Sequence, residues 1–337
     1  MRQVKVYPEI RLLNTPFVIA RGVSTEISVV VVELEQDGVK GAGECRPYSR
    51  YGETSESVLA QIAAIVPQLT SGLSRQQLQN CLPAGAARNA VDCALWNLES
   101  QLRNSTIWSE IGVIPPDIIT TAQTISINEP DNMALCAKSL WERGARLLKI
   151  KLDQHLITER VVAIRSAVPE ATLIVDANES WQADGLAERC QILADLGVAM
   201  LEQPLFEGDD EILSHFVHPL PVCADESCHT RGSLDNLQGR YEMVNIKLDK
   251  CGGLTEALAL ASEAKSRGFT IMLGCMLCTS RAILAALPLA PLARFVDLDG
   301  PSWLAEDVGS SLNFTCGKID LRSLKTEQAN HCSKVFF

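Results

Sequence analysis

The sequence lacks the features of nucleic-acid-binding, membrane-spanning and secreted proteins. Its 337 residues carry a net charge of −11, and Lys and Arg occur in no run longer than isolated pairs. Because nucleic acid and anionic membranes are bound by basic patches, neither partner is expected. No apolar run reaches about 18 residues, so a transmembrane helix is not expected. The start, MRQVKVYPEI, lacks the apolar core of a signal peptide, and we expect a cytoplasmic protein.

The cysteines of the sequence also give little indication of a zinc site or of disulfide bonds. The twelve cysteines are scattered through apolar patterns, and only Cys275 and Cys278 form a C-x-x-C pair. One such pair, without a second pair or a nearby histidine, is a weak indication of zinc or redox function. We interpret the cysteines as reduced thiols that pack as small hydrophobic side chains.

The N-terminal third predicts an α+β domain. Strand-like patterns fill residues 1 to about 45: VKVYPEIRLL, PFVIA, and two strands in ISVVVVELEQDGVKGAGE joined by a turn at Asp37-Gly38. Helical periodicity follows at 56–69 and 84–102. Strands and helices in separate runs indicate an α+β capping domain over residues 1–115. A C-terminal tail, from about 310 to 337, is expected to complete it.

From residue 116 to 309 the pattern changes to alternating strands and amphipathic helices. Eight strand-like runs lie at 117–127, 146–153, 172–178, 198–204, 221–227, 243–249, 270–276 and 294–300. Such alternation implies parallel strands with helical crossovers. We therefore predict an α/β fold of the (β/α)8 type, a modified TIM barrel. An open doubly wound sheet is disfavoured because no Gly-rich phosphate loop follows the first strand.

Charged residues recur near the ends of these strands. They are Lys151, Asp176, Glu202, Asp225, Lys247 and Asp297. Their intervals are close to one strand–helix unit each, with a double interval before the last. In a β/α barrel the carboxyl ends of the strands converge on one mouth. We therefore expect these six side chains to face one another there.

Three of these residues are acids from consecutive strands. Asp176, Glu202 and Asp225 could not all stay ionised at close range without a cation. Carboxylate oxygens with open coordination positions suit Mg²⁺, one ion per subunit, and Mn²⁺ is possible. The absence of histidine at these positions disfavours zinc. The alternative is that the acids pair with the lysines in a buried salt network.

The lysines raise a separate question, because Lys149 and Lys151 lie on the same face of one apolar strand. A lysine near a second ammonium group and a divalent cation has a lowered pKa and can act as a base. We predict that Lys149 lowers the pKa of Lys151 in this way. Lys247 would approach from the other side of the metal. A β-bulge could instead separate the two neighbouring lysines.

A metal flanked by two amines suggests the chemistry of a carbon acid. The metal would bind a substrate carboxylate and stabilise the enediolate formed when one lysine removes the α-proton. The second lysine would return a proton on the opposite face. The product would be the epimer.

Five motifs carry a resemblance to a known family. They are KIK (149–151), VDANESW (175–181), LEQP (201–204), ADES (224–227) and NIKLDKCGG (245–253). In this order and spacing the chain resembles the enolase superfamily, in its muconate-lactonizing-enzyme-like subgroup. Lysine bases with Mg²⁺ are a known pattern of that superfamily. GCMLCTS (274–280) and DLDG (297–300) are similar to its dipeptide epimerase branch.

The resemblance implies substrates and further site residues. It implies epimerisation of the C-terminal residue of L-Ala-D/L-Glu-type dipeptides, in murein peptide recycling, with Asp297 and Asp299 binding the substrate's free ammonium. Positions i and i+2 of a strand would direct both acids into the mouth. One of them could instead hold a lysine or a backbone amide.

Other residues complete the predicted site. The capping loops 19–25 and 43–53 offer a cation for the substrate side chain, foremost Arg21 and also Arg46 and Arg50. The resemblance also shows a departure, because Val23 and Ser24 stand where related enzymes often have a basic residue. Thr124, Cys275 and Met276 are expected to line the pocket, as is Cys278. Asn178, Glu226 and Asp249 are predicted to orient the ligands or lysines. His229 is interpreted as a loop residue.

Three other functions remain open at this point. The first is another enzyme of the subgroup, such as o-succinylbenzoate synthase or a cycloisomerase. The second is a metal-dependent barrel lyase or hydrolase, and the third is a non-catalytic barrel. The dipeptide preference is not fixed by the sequence, and neither is the oligomeric state, although a homo-oligomer is possible.

Overall fold

The computed structural model describes residues 1–309 and 312–322. Its first three strands are β1 (Gln3–Ile19), β2 (Gly22–Gln36) and β3 (Val39–Cys45), paired antiparallel in that order. The turn predicted at Asp37-Gly38 is present, and both residues have the left-handed φ values of 52° and 78°. The two strands predicted within residues 3–19 are one long strand, whose register shifts between Leu12 and Phe17.

Four helices follow: α1 (Ser55–Thr70), α2 (Arg75–Cys81), α3 (Ala86–Leu102) and α4 (Ile107–Glu110). The two helices predicted at 56–69 and 84–102 are confirmed within two residues at each end. Helix α3 lies directly against the sheet. A Cβ atom on Gly43 would be 2.1 Å from the carbonyl oxygen of Ala90, so only glycine permits this approach.

The remaining helices are α5 (Pro130–Glu142), α6 (Ile157–Ala167), α7 (Leu186–Asp195), α8 (Leu234–Leu237), α9 (Leu248–Cys251), α10 (Leu254–Ser266) and α11 (Ser280–Ala286). They alternate with the strands β4 (Ile118–Thr120), β5 (Gln123–Ile125), β6 (Leu147–Lys151), β7 (Thr172–Asp176), β8 (Val198–Glu202), β9 (Val222–Ala224), β10 (Met243–Ile246), β11 (Thr270–Gly274) and β12 (Phe295–Asp297).

Strands β5 to β12 form one parallel sheet in sequential order, which confirms the predicted barrel. Its edges meet where the amide of Ala122 donates to the carbonyl of Val296 over 2.7 Å. The barrel interior is filled with buried apolar side chains: Ala122, Leu147, Ile174, Met200, Cys223, Met243, Met272 and Phe295. Because the interior is packed, any ligand site must lie at an end of the barrel.

The single strand predicted at 117–127 is wrong. The segment divides into β4, outside the barrel, and β5, inside it. Strand β4 pairs with β14 (Lys318–Asp320), which in turn pairs with β13 (Asn313–Thr315). The described part of the predicted C-terminal tail therefore contacts the start of the barrel segment, and residues 323–337 lie outside the described residues. The domain division at 115/116 stays a prediction.

Helix α3 also contacts the barrel, where it holds the turn that follows β10. The guanidinium group of Arg88 donates to the carbonyl oxygen of Cys251 over 2.7 Å. Asp92 accepts a hydrogen bond from the amide of Thr255, near the start of α10, over 2.9 Å. The first domain thus fixes the segment between β10 and α10.

The described residues bear on two features that the sequence does not predict, a transmembrane helix and disulfide bonds. In that part of the chain no helix is long and apolar enough to cross a membrane. Every cysteine that the structure describes is free of disulfide bonds.

Candidate active site

The carboxyl ends of the barrel strands bring the predicted charges together. Lys151, Asp176 and Glu202 are the last residues of β6, β7 and β8, and Asp297 ends β12; Asp225 and Lys247 follow β9 and β10 directly. A cavity of about 90 Å³, open to solvent, lies over this mouth. Its lining includes the predicted residues Arg21, Thr124, Lys149, Lys151, Asn178, Asp225, Glu226, Lys247, Cys275, Met276, Asp297 and Asp299.

Lysines and acids form a buried ion-pair network at the base of this cavity. Lys151 Nζ lies 2.5 Å from Asp176 Oδ2. Lys149 Nζ contacts the same oxygen at 3.1 Å, Glu202 Oε2 at 2.7 Å and Asp297 Oδ2 at 2.8 Å. The shared carboxylate of Asp176 therefore offsets the repulsion between the two ammonium groups.

The third lysine pairs with the last of the three acids. Lys247 Nζ lies 2.6 Å from Asp225 Oδ2. The salt network that the sequence left open as an alternative is therefore present. Within residues 1–309 and 312–322, no three His, Cys, Asp or Glu side chains are arranged to hold a metal ion.

The three acids nevertheless have the donor chemistry of a divalent-cation site. The carboxylates of Asp176, Glu202 and Asp225 are buried on neighbouring strands, and each offers hard oxygen ligands. Glu202 Oε2 is close to Lys149, but no hydrogen bond of good geometry reaches it. The lysine ammonium groups now supply the positive charge that these carboxylates require. The residues fit such an ion chemically.

The acids around two of the lysines raise the pKa of each. Burial is the largest single influence on Lys149 and Lys247 and opposes their charged forms. The surrounding carboxylates together outweigh it, led by Asp297 for Lys149 and Asp225 for Lys247, so the pKa of each lysine is raised. That Lys149 and a divalent cation together favour the neutral form of Lys151 stays a prediction.

Two amides and one lysine help to hold the three acids in place. The backbone amide of Asn178 donates to Asp176 Oδ1 over 2.9 Å. Asn245 Nδ2 donates to Glu202 Oε1 over 2.7 Å, and Lys250 Nζ lies 2.7 Å from Asp225 Oδ1. Sequence reasoning missed the roles of Asn245 and Lys250. The first was detectable, because it lies two residues before Lys247 and therefore on the same face.

Asp297 and Asp299 have partners within the protein. Asp297 pairs with Lys149, and Asp299 Oδ2 accepts from the backbone amide of Thr124 over 2.7 Å. Each acid thus makes the contact that the sequence gave as the alternative to ammonium binding. Asp297 Oδ1 is buried without a hydrogen-bond partner. Burial and the neighbouring Asp297 charge raise the pKa of Asp299 to about 6.

The reason given for the position of Asp299 is wrong. Strand β12 ends at Asp297, so the two acids are not i and i+2 of one strand. Asp299 instead precedes the short 3₁₀ helix Gly300–Trp303. Both acids still line the cavity, because the turn after β12 directs Asp299 to the same mouth.

Of the predicted supporting residues, Glu226 and Asp249 contact the first domain. Glu226 Oε1 lies 2.7 Å from Arg21 Nη1. Asp249 Oδ1 accepts from the backbone amide of Arg46 over 3.0 Å and from Asn89 Nδ2 over 2.8 Å. Burial raises the pKa of both acids to about 7. Asp249 links α3, the loop after β3 and the turn after β10.

The capping loops contribute aromatic side chains that sequence reasoning missed. Phe17, Tyr48 and Tyr51 line the cavity, and Tyr51 packs edge-on against His229 with ring centroids 4.8 Å apart. Burial lowers the pKa of His229 to about 4, and the side chain does not line the cavity. No pattern in the sequence marked these aromatic residues.

Known families match almost the whole described chain. The "Mandelate racemase / muconate lactonizing enzyme, N-terminal domain" matches residues 1–112, and the "Enolase C-terminal domain-like" family matches residues 132–324. The chain belongs to the enolase superfamily, as the motifs predicted.

Individual proteins show which members of the superfamily this chain is similar to. The chain is 65% identical over 321 residues to L-Ala-D/L-Glu epimerase of Escherichia coli (strain K12), with 95% of this chain and 100% of the relative covered. It is 41% identical over 313 residues to N-acetyl-D-glutamate racemase of Pseudoalteromonas sp., covering 92% and 98%. A solved dipeptide epimerase from Enterococcus faecalis V583, complexed with Mg and the dipeptide L-Leu-L-Tyr, is 30% identical over 94% and 96% of the chains, with a TM-score of 0.88.

Proposed function

We propose that this chain epimerises the α-carbon of the C-terminal residue of L-Ala-D/L-Glu-type dipeptides. One observation carries the proposal: Lys151 and Lys247 contact the outer two of three consecutive strand-end acids, with Glu202 between them, at one cavity. Two amines on either side of a carboxylate set match a two-base proton transfer. The 65% identity to the Escherichia coli L-Ala-D/L-Glu epimerase supports this substrate class.

A divalent cation, Mg²⁺, is part of the proposal. Asp176, Glu202 and Asp225 would hold it, and it would stabilise negative charge on the substrate's α-carboxylate. The Enterococcus faecalis relative solved with Mg supports a divalent ion. One ion per subunit and replacement by Mn²⁺ are further parts of the proposal.

The lysines perform the proton transfers. One of Lys151 and Lys247, in its neutral form, removes the α-proton from one face of the substrate carbon. The other, in its ammonium form, donates a proton to the opposite face, so the configuration inverts and no net proton is consumed. Lys149 remains an ammonium group and balances the charge of the acids around it. Asn245 and Lys250 hold the acids in position.

The capping domain, residues 1–115, would close the mouth of the barrel, residues 116–309. This is supported by side chains of the β1–β2 turn and of the loop after β3, which line the cavity. Substrate would enter between the two domains. The place of the reaction in murein peptide recycling remains a prediction from resemblance.

A second candidate is racemisation of an N-acylated glutamate. Asp297 Oδ2 and Asp299 Oδ2 already have partners in Lys149 and the Thr124 amide, so a substrate ammonium group would have Asp297 Oδ1 as its unpartnered acceptor among these atoms. The 41% identity to an N-acetyl-D-glutamate racemase supports this candidate. By contrast, the comparisons do not favour o-succinylbenzoate synthase, a cycloisomerase or a non-catalytic barrel.

The two candidates are separated by α-proton exchange in D₂O. The protein is incubated with Mg²⁺ and either L-Ala-L-Glu or N-acetyl-L-glutamate, and deuterium uptake and chirality of the glutamate are measured. We expect exchange and inversion of the dipeptide, and none in the Lys151→Ala/Lys247→Ala double variant. Faster turnover of N-acetylglutamate would favour the second candidate. No exchange of either compound would refute both.

A further inference from the structure

Three arginines of the capping loops lie near the cavity, and they differ in their partners. Arg21 is paired with Glu226 at 2.7 Å, and Arg50 with Glu179 at 2.7 Å. Arg46 also lines the cavity, but in the described part of the chain its guanidinium group has no ion-pair or hydrogen-bond partner. The guanidinium carbon of Arg46 lies 5.8 Å from the centroid of the Tyr48 ring.

An unpaired guanidinium group in this position is costly. Burial is the main influence on Arg46 and lowers its pKa, which indicates poor hydration of the charge. Arginine stays protonated in proteins, so the cost cannot be removed by loss of a proton. Arg46 is half-buried, and a charge that is partly removed from water without a partner is unfavourable unless something else supplies the counter-charge. A ligand carboxylate in the cavity would do so.

The backbone of Arg46 is held rigidly enough to present the side chain. Its amide donates to Asp249 Oδ1, and Asn89 of helix α3 donates to the same oxygen. The residue follows directly on β3, which ends at Cys45. Cys275 and Met276, which follow β11, form part of the same cavity wall. The cavity thus has acids at one place, Asp297 and Asp299, and a free cation at another.

The neighbouring loop 19–25 offers the cavity no second unpaired cation. Its Arg21 is paired with Glu226, Val23 is apolar and 63% exposed, and Ser24, which lines the cavity, carries no charge. We propose that Arg46 binds the side-chain carboxylate of the substrate's C-terminal residue, so that the substrates are dipeptides ending in an acidic residue. This rests on the proposed dipeptide epimerase function.

The test compares two dipeptides that differ only in side-chain charge, L-Ala-L-Glu and L-Ala-L-Gln. A charge-assisted contact of about 1.5 to 3 kcal/mol corresponds to about 10- to 150-fold in rate. We expect Arg46→Met to lower kcat/KM for L-Ala-L-Glu by that factor, mainly through KM. The value for L-Ala-L-Gln should change by less than about threefold.

Two further variants control for folding and for charge. Arg50→Met removes a cation already committed to Glu179, and should leave the Glu/Gln ratio of kcat/KM unchanged. Arg46→Lys keeps the charge without the planar fork, so its ratio should lie between those of the wild type and Arg46→Met. It also tests the proposal if the methionine variant does not fold.

The possible failures are distinguishable. Wild-type protein that exchanges neither dipeptide refutes the proposed function itself. Equal losses for both dipeptides in Arg46→Met, or a wild-type ratio in Arg46→Lys and Arg46→Met alike, would show that Arg46 only supports the structure. Wild-type protein that does not prefer glutamate over glutamine would also overturn the proposal.

Discussion

Replacement of Lys149 by methionine is the most informative perturbation of the ion-pair network. The side chain is 1% exposed, and its ammonium group lies within 3.1 Å of three carboxylates. Methionine fills a similar volume but supplies no charge. In the absence of a divalent cation, Asp176, Glu202 and Asp297 would share less compensating charge in a buried position. We therefore expect a large loss of stability in EDTA.

The size of the loss follows from the burial of the group. Removing one partner of a buried ion pair typically costs about 3 to 5 kcal/mol. An unfolding entropy of about 2.1 cal/mol/K per residue gives about 0.7 kcal/mol/K for a chain of 337 residues. The melting temperature of Lys149→Met should therefore fall by about 4 to 7 °C in EDTA.

A divalent cation should reverse much of this loss. At about 100 times its Kd, any ligand of the folded state adds about 2.7 kcal/mol, which is about 4 °C here. Wild-type protein should gain that amount from Mg²⁺. Lys149→Met should gain several degrees more, because the cation also relieves repulsion among the buried acids that have lost Lys149. Differential scanning fluorimetry with EDTA and with Mg²⁺ measures both shifts.

A surface lysine provides the matched control. Lys138 is exposed and lies 4.0 Å from Glu142 on α5, so Lys138→Met should change the melting temperature by little in either buffer. If Lys149→Met is as stable as the wild type in EDTA, the ion pairs do not hold the acids. If its response to Mg²⁺ equals that of the wild type, the cation does not bind at Asp176 and Glu202, the two proposed ligands that Lys149 contacts.

Other predictions address the two bases, the domain contact and pH. Lys151→Ala and Lys247→Ala should each lower the rate of epimerisation by about 100-fold or more. Each variant should still exchange the α-proton of one epimer, which deuterium uptake would reveal. Retained epimerisation in either variant contradicts the two-base scheme. Gly253→Ala should lower the melting temperature by about 3 to 6 °C, since φ is 108° and the new Cβ would lie 2.5 Å from Asp92 Cβ; an unchanged value would mean that α3 yields easily. Burial raises the pKa of Asp249 to about 7. Above about pH 4 the unfolded chain releases this proton while the folded protein keeps it. The free energy of unfolding therefore falls as pH rises from about 4 to about 7. Asp249→Asn should therefore be more stable relative to wild type at about pH 8 than at about pH 5 in chemical denaturation, and a constant difference would refute the assignment.

The barrel and the charges at its mouth could be predicted because both follow local periodicities. Alternating strands and helices fix a parallel sheet, and a charge at the end of each strand must face the common mouth. The prediction of a single strand at 117–127 was wrong because its structure depends on a distant segment. Its division into β4 and β5 depends on pairing with β14, some two hundred residues later, and no local pattern records that partner.

The capping residues show the same limit more sharply. Arg21, Arg46 and Arg50 are indistinguishable in sequence, and the choice among them depends on acids supplied by the barrel. Glu226 and Glu179 neutralise the first and third but not the second. Residues that act through tertiary partners cannot be ranked until those partners are in place.

The ion-pair network also distinguishes the two proposed bases, Lys151 and Lys247, from the other two buried lysines, Lys149 and Lys250. Lys149 contacts three carboxylates, and Lys250 contacts Asp225 together with two backbone carbonyls, so both keep acceptors even if one carboxylate is taken by another cation. Lys151 and Lys247 each contact one carboxylate, and that carboxylate belongs to the three-acid set. A cation among the acids would therefore take the one carboxylate partner of Lys151 and of Lys247, whereas Lys149 would keep Asp297 and Lys250 its backbone carbonyls. Both Lys151 and Lys247 line the cavity where a substrate carbon would lie.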